Sequence, residues 1–345
     1  MKTLSKNQSE QIKGLAIILM IVHHLFRFPS RIPNGCSVHF LSDSLAVEYQ
    51  LAVFGKVCVV LFLFVSGYGL GTRSGIFSLT NWLRRIGSFY ILFLINFTLL
   101  IGISWLWFHN SSSESGWWKG FDWSPKTFIG NLLLLNPNYS MEWGFARIYV
   151  ILIGVAWPTC EVLCRYGAYP LTLLTLLLYG TSGYLDGFDH ILSVQAAFVI
   201  GFVLSRWPEN GFHQFLTALS DCGRATRFTT SLALLVFSFL MRKRTNEQTD
   251  WIVGLCVAGS VVLWSALCPL LGNFLAFFGK HSASMWLNHS FVFYYWYNRS
   301  FYAMHQSVLL FLVATACSLA MALLVDPVIR IIQKITFSKP KILFS

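Results

Sequence analysis

The amino-acid sequence predicts an all-α polytopic membrane protein of about ten transmembrane helices in one bundle, and three observations carry that prediction. Of its 345 residues, 55% are hydrophobic and only 11% charged, against roughly one-quarter charged in an average soluble domain. Apolar runs of about 17 to 25 residues, the length that crosses a bilayer as a helix, recur from end to end. The chain also carries 31 Phe, 13 Trp and 13 Tyr, residues that fill bundle cores and girdle membrane interfaces. A soluble core of this length needs far more polar surface, whereas lipid-facing helices are apolar all round.

The first span, roughly 12–28, has Lys2, Lys6 and Lys13 ahead of its unbroken apolar stretch. No A-x-A-like cleavage site follows it, and the adjacent His23 and His24 interrupt it, so it reads as an uncleaved first helix and not as a signal peptide. Further spans are expected at roughly 51–71, 85–108, 145–163, 168–182, 190–206, 228–241, 251–267, 284–298 and 307–332. Residues of about 109–141, beginning HNSSSESGWWKGFDWSPK, are expected to form an external loop, and about 333–345 a cytoplasmic tail. No internal repeat or soluble segment interrupts the pattern, so residues 1–345 read as a single transmembrane domain.

Cytoplasmic segments carry an excess of Lys and Arg. With both termini in the cytoplasm, the inner side collects most of the 25 Lys and Arg, which implies a multi-pass protein of the plasma or inner membrane. Arg242, Lys243 and Arg244 are the discordant group, since alternation puts them outside. The net charge of +11 is scattered between apolar segments, and nucleic acid is not an expected partner. The eight cysteines lie mostly in or beside apolar runs without a paired CxxC spacing, as small buried hydrophobes do. Cys160 and Cys164 lack a second ligand pair, and His23 and His24 diverge by about 100° on a helix, so no metal site is expected.

Ionisable groups inside a span cost about 2.5–3.5 kcal/mol when charged and therefore invite a functional reading. Lys13 and His24 are almost three helical turns apart, so they share a face with about 16 Å of rise between them; His23 points away from it. One face thus carries a cation near the cytoplasmic boundary and an imidazole expected near the bilayer centre. That arrangement suits a ligand with phosphates at one end and a reactive group at the other, as in an acyl-CoA. His24 would then act as a general base toward an incoming hydroxyl. A structural role, hydrogen bonding to a neighbouring helix, is the alternative for both histidines.

KGLAIILMIVHHLF resembles the first-helix signature of the acyltransferase 3 family of integral membrane acyltransferases, a basic residue followed by ten residues and a histidine; Lys13 and His24 match it, with Lys where many members have Arg. GKVCVVLFLFVSGYGL is similar to the family's next motif, with Phe64, Ser66, Gly67 and Tyr68 in corresponding places, and FGKHSASMWLNHSF is similar to its late Gly-Lys-x-Ser stretch, which includes Lys280, Ser282 and His289. NWLRRIGSFY sits where the family carries a basic cluster, with Arg84 and Arg85 in place and Ser88 where a further Arg is usual. MEWGFARIYVIL resembles the start of a middle helix, with Glu142 and Arg147 at the external mouth.

The resemblance implies transfer of an acyl group, commonly acetyl, from cytoplasmic acyl-CoA to a carbohydrate hydroxyl, with no permanently bound cofactor. It implies His24 as the catalytic residue and Lys13 as a donor-site residue, with Arg84 and Arg85 meeting the CoA phosphates. Ser66 and Gly67 would shape the donor channel or simply pack helices; His23, Glu142, Lys280, Ser282 and His289 are supporting candidates. Asp326 precedes Pro327 and reads as a helix break, and Asp43 and Glu48 as acceptors on the outer side. The alternative is a transporter or flippase of a glycolipid or small metabolite, but the paired inverted repeats that transport favours are not evident.

Overall fold

A computed structural model describes residues 4–337 except 43–46, 73–77, 109–121, 185–188, 208–213, 215–216, 220, 246 and 248. Among the described residues the chain is helical, with a single bridge pairing His39 and Gln306. The helices are α1 (Lys6–Phe26), α2 (Val47–Gly55), α3 (Cys58–Gly71), α4 (Leu79–Ile103), α5 (Pro125–Leu132), α6 (Gly144–Ile151) and α7 (Trp157–Leu163). They continue with α8 (Ala168–Gly180), α9 (Asp189–Arg206), α10 (Arg224–Thr245), α11 (Asp250–Leu267), α12 (Pro269–Ser290), α13 (Asn298–Tyr302) and α14 (Ser307–Phe337).

Six helical segments among the described residues are long and apolar enough to cross a membrane: Lys6–Phe26, Val47–Gly71, Leu79–Trp107, Met141–Tyr166, Asp250–Leu267 and Ser307–Phe337. The expected count of about ten is therefore not confirmed; of the four other expected spans, 190–206 forms only a shorter apolar helix, Ile191–Arg206, and the remaining three differ for physical reasons. Helix α8 is only 13 residues long. Helix α10 carries Arg224, Arg227, Arg242, Lys243 and Arg244. Helix α12 starts at Pro269, well before the expected 284, because proline at the first helical position opens it and the turns that follow include Lys280, His281, Ser282 and Ser284. At the far end, α14 runs through Pro327 to Phe337, so Asp326 does not mark a helix break. Asp326 instead accepts hydrogen bonds from His281 Nδ1 and Ser284 Oγ, both at 2.5 Å, and ties α14 to α12. Of the expected external loop, residues 109–121 lie outside the described residues, and the rest includes α5.

Helix α1 begins where Ser5 and Gln8 form a reciprocal cap: Gln8 N donates to Ser5 Oγ at 3.2 Å, and Ser5 N to Gln8 Oε1 at 2.9 Å. Its partner is α12, and the two touch backbone to backbone. A Cβ on Gly14 would lie 1.8 Å from the Leu275 carbonyl oxygen, and one on Gly279 1.8 Å from that of Glu10. Gly14 meets Leu275 and Gly279 meets Glu10 at one crossing, and ten residues beyond each glycine His24 meets His289, so α1 and α12 run parallel. The same geometry recurs between α3 and α9, where Cβ atoms on Gly67 and Gly201 would lie 1.9 and 2.2 Å from the carbonyl oxygens of Phe198 and Phe64.

Both ends of the bundle follow from these pairings. Leu4 N donates to Tyr68 Oη at 2.8 Å, which sets the end of α3 beside the start of α1. The opposite end, where α1 finishes, carries His23, His24, Arg27 and Arg31. Glu48 lies there as well, accepting from Leu41 N at 2.6 Å and Ser307 Oγ at 2.8 Å, so it fastens a connecting segment to the start of α14. Asp43 lies outside the described residues.

Replacing Gly14 by Ala is expected to lower stability by about 1–3 kcal/mol or to prevent assembly, because a backbone carbonyl cannot yield as a side chain does. Gly69, where an added Cβ meets nothing within 4 Å, serves as the control. Thermal unfolding of the detergent-solubilised protein should show a lower midpoint for Gly14→Ala and none for Gly69→Ala.

Candidate active site

His24 stands two residues before Phe26, the last residue of α1, and so in the final turn of that helix. Parallel packing with α12 brings the His24 and His289 rings to 5.0 Å between centroids. His289 is fully buried, and its Nδ1 lies 2.8 Å from the Trp286 carbonyl. A carbonyl only accepts, so Nδ1 carries the hydrogen and Nε2 is left as a buried lone pair with no hydrogen-bond partner.

The third member is Glu142, delivered from the turn before α6. Its Oε1 lies 3.5 Å from His24 Nδ1 and 3.5 Å from Arg31 Nη1. Its Oε2 accepts from Tyr295 Oη at 2.7 Å, Ser140 Oγ at 3.1 Å and Ser290 Oγ at 3.2 Å. Three hydroxyl donors on one oxygen and a guanidinium at the other hold a carboxylate that is almost wholly buried. Tyr295 reaches it because a π-helical segment, Phe291–Trp296, follows α12 directly and re-aims the side chains after Ser290. The Arg31 guanidinium is itself clamped between the Phe28 and Tyr294 rings, 4.3 and 4.5 Å from their centroids.

His24 and Glu142 face a cavity of about 290 Å³ whose walls also include His23, Lys56, Arg147 and Trp286. The His23 Nδ1 donates to the Ala52 carbonyl at 2.6 Å, which commits that ring to the α1–α2 junction. Among the described residues no group of three or more potential ligands is placed to hold a metal ion. The arrangement has an imidazole open to a cavity, a buried carboxylate at its Nδ1, and a second imidazole beside it. Such parts serve proton transfer to or from a bound hydroxyl.

Toward the other end, Lys13 sits within electrostatic reach of Glu10 and Arg85. Arg85 donates from Nη2 to Tyr149 Oη at 2.9 Å, whereas Arg84, one residue along the helix, is exposed. Ser88 packs against α14, whose Gln333 donates to its carbonyl at 2.8 Å. Gly67 lies in the α3–α9 contact, with Ser66 half-buried beside it. Lys280 is exposed on α12, and Ser282 Oγ turns back to the Gly279 carbonyl at 2.9 Å. Neither of the last two meets the His24 cluster. The sequence reading did not single out Arg31, Ser140, Ser290 and Tyr295. The Ser-Met-Glu run at 140–142 was the one local hint, and Arg31 gave none.

A helical membrane bundle with an imidazole and a buried carboxylate on an internal cavity is the frame of an integral membrane enzyme. Residues 7–326 match the family model described as an acyltransferase domain, acyltransferase 3. That span is nearly the whole chain, and the protein belongs to this family of membrane acyltransferases. Comparison with curated proteins and with solved structures returned no match.

Tyr295→Phe removes both the bond to Glu142 and the acceptor for Met141 N, 3.0 Å away. The expected cost is about 1.5–3 kcal/mol, since one of the two bonds is to a charged group. Its thermal midpoint should fall clearly below wild type, while Tyr166→Phe at an exposed position should leave it unchanged.

Proposed function

We propose that the protein transfers an acyl group, acetyl by preference, from cytoplasmic acyl-CoA to a hydroxyl of a carbohydrate bound for the cell surface. The observation that carries the reading is the His24–Glu142 pair at a cavity, 3.5 Å apart, with His289 beside it. On this reading, the Glu142 carboxylate 3.5 Å from Nδ1 favours the hydrogen on Nδ1 and the lone pair on Nε2. An acceptor hydroxyl gives its proton to Nε2 as its oxygen attacks the thioester carbon, and the imidazolium that forms is stabilised by the Glu142 carboxylate. His24 then returns a proton to the departing CoA thiolate. His289, His23 and Tyr295 hold the cluster in place.

Lys13 and Arg85 bind the donor phosphates at the other end of α1, with about 16 Å of helix between Lys13 and His24 for the pantetheine arm. Both termini are assigned to the cytoplasm on this reading, so the His24 end faces outward. Support comes from the family membership and from the shared face of Lys13 and His24.

In cells carrying His24→Ala, mass spectrometry of surface glycans should find the one-acyl mass increment reduced at least about 10²-fold, with the protein still inserted and still binding CoA. Full activity in that variant would overturn the general-base assignment. Glu142→Gln is expected to lower kcat by on the order of 10²-fold or more through loss of the orienting charge. Lys13→Ala should instead raise KM for acyl-CoA more than it lowers kcat.

A further inference from the structure

The discordant basic group of α10 lies at the His24 end of the bundle and lines a second cavity. This cavity, about 560 Å³, is walled by His23, Arg27, Lys56, Arg242, Arg244 and Glu247, among others. His23 and Lys56 also line the His24 cavity, so the two spaces share a wall. Four cations therefore stand beside the reacting imidazole, on the side of the bundle where a surplus of basic residues is least expected.

Structure alone accounts for two of them. Arg242 is 5% exposed and lies 2.9 Å from Asp250 through Nε and 3.9 Å from Glu247, and Lys56 pairs with Glu247. These contacts pin the α10–α11 turn to the junction of α2 and α3. Arg27 and Arg244 are different: neither has an acid partner among the described residues. Arg27 is positioned by Tyr49 Oη at 2.8 Å and lies over the Tyr49 and Phe28 rings, 5.4 and 5.9 Å from their centroids. Arg244 projects exposed from the last turn of α10. The one acid among the described lining residues, Glu247, is already shared between Lys56 and Arg242, which leaves two guanidiniums facing the cavity without a counter-charge among the described residues. Guanidinium presents paired N–H donors that match the oxygens of carboxylate and phosphate groups.

We propose that this second cavity binds an oxyanion group of the acceptor, a sugar carboxylate or a phosphate joining the sugar to its carrier, and so selects acidic acceptors. The assignment rests on the acyltransferase reading of the adjoining cavity, in which the donor phosphates already have Lys13 and Arg85 at the far end of α1. The anion anchors in the second cavity through Arg27 and Arg244, and a hydroxyl of the same molecule reaches past His23 to His24. No bond is made or broken there.

Binding read without turnover tests the assignment independently of acyl transfer. The full chain in dodecyl maltoside would be titrated with methyl β-D-glucuronide, with inorganic pyrophosphate and with neutral methyl β-D-glucoside, and separately with CoA. At least one anion should bind while the glucoside does not, and which one binds tells a carboxylate from a phosphate ligand. Arg244→Gln and Arg27→Gln should each weaken that anion about tenfold and leave the Kd for CoA unchanged. Arg244→Glu, at an exposed position that the fold does not depend on, should abolish it. The proposal is overturned if neither anion binds better than the glucoside, if the variants leave anion affinity intact, or if they weaken CoA to the same degree.

Discussion

The structure depends on the approach of two helix backbones at Gly14 and Gly279. In lipid, apolar side chains gain little by leaving one apolar surroundings for another, so helix pairs are held by close van der Waals contact and by polar groups between them. Hydrogen atoms at these two positions let carbonyl oxygens of each helix come within 1.8 Å of where the other's Cβ would be. Contact that close fixes rotation and translation together. A slip of one residue along either helix turns its side chains by about 100°, and His24 would no longer face His289.

The remaining parts of the site are arranged on that fixed pair. Glu142 comes from a different span and Arg31 from the segment after α1, yet both reach the same point between α1 and the end of α12. A carboxylate is tolerable there because every oxygen has a donor or a cation within reach, and a buried charge lacking them would be neutralised or would destabilise the bundle. The price of such a cluster is rigidity, and the π-helical turn after Ser290 supplies the one local rearrangement it needs. Asp326 is a parallel case lower in the bundle, where His281 and Ser284 satisfy a carboxylate and thereby join α12 to α14.

The basic residues at 242–244 show why a charge count along the sequence is an incomplete guide to which charges face water. The positive-inside tendency concerns charges that face water and lipid headgroups. Arg242 does neither, because Asp250 and Glu247 hold it in the protein interior. Arg27 and Arg244 line the same cavity wall and have no acid partner among the described residues.

Composition alone was enough to predict the membrane class, and the spacing of Lys13 and His24 on one helical face was readable because periodicity within a single helix is local geometry. The motifs around Lys13, Ser66 and His289 likewise pointed to the family later matched over residues 7–326. Span number was not confirmed where hydropathy alone was the guide, since α8 is short and α10 and α12 carry polar residues along their length. Glu142 was legible only as a polar residue at the mouth, and Arg31 and Tyr295 not at all. Their meeting with His24 is set by the register of packed helices, which couples residues more than a hundred positions apart, and no spacing along the chain encodes that register. What the sequence by itself determined is which side chains share a helix face; which faces meet, and therefore which groups act together, was decided by backbone contacts that exist only in the assembled bundle.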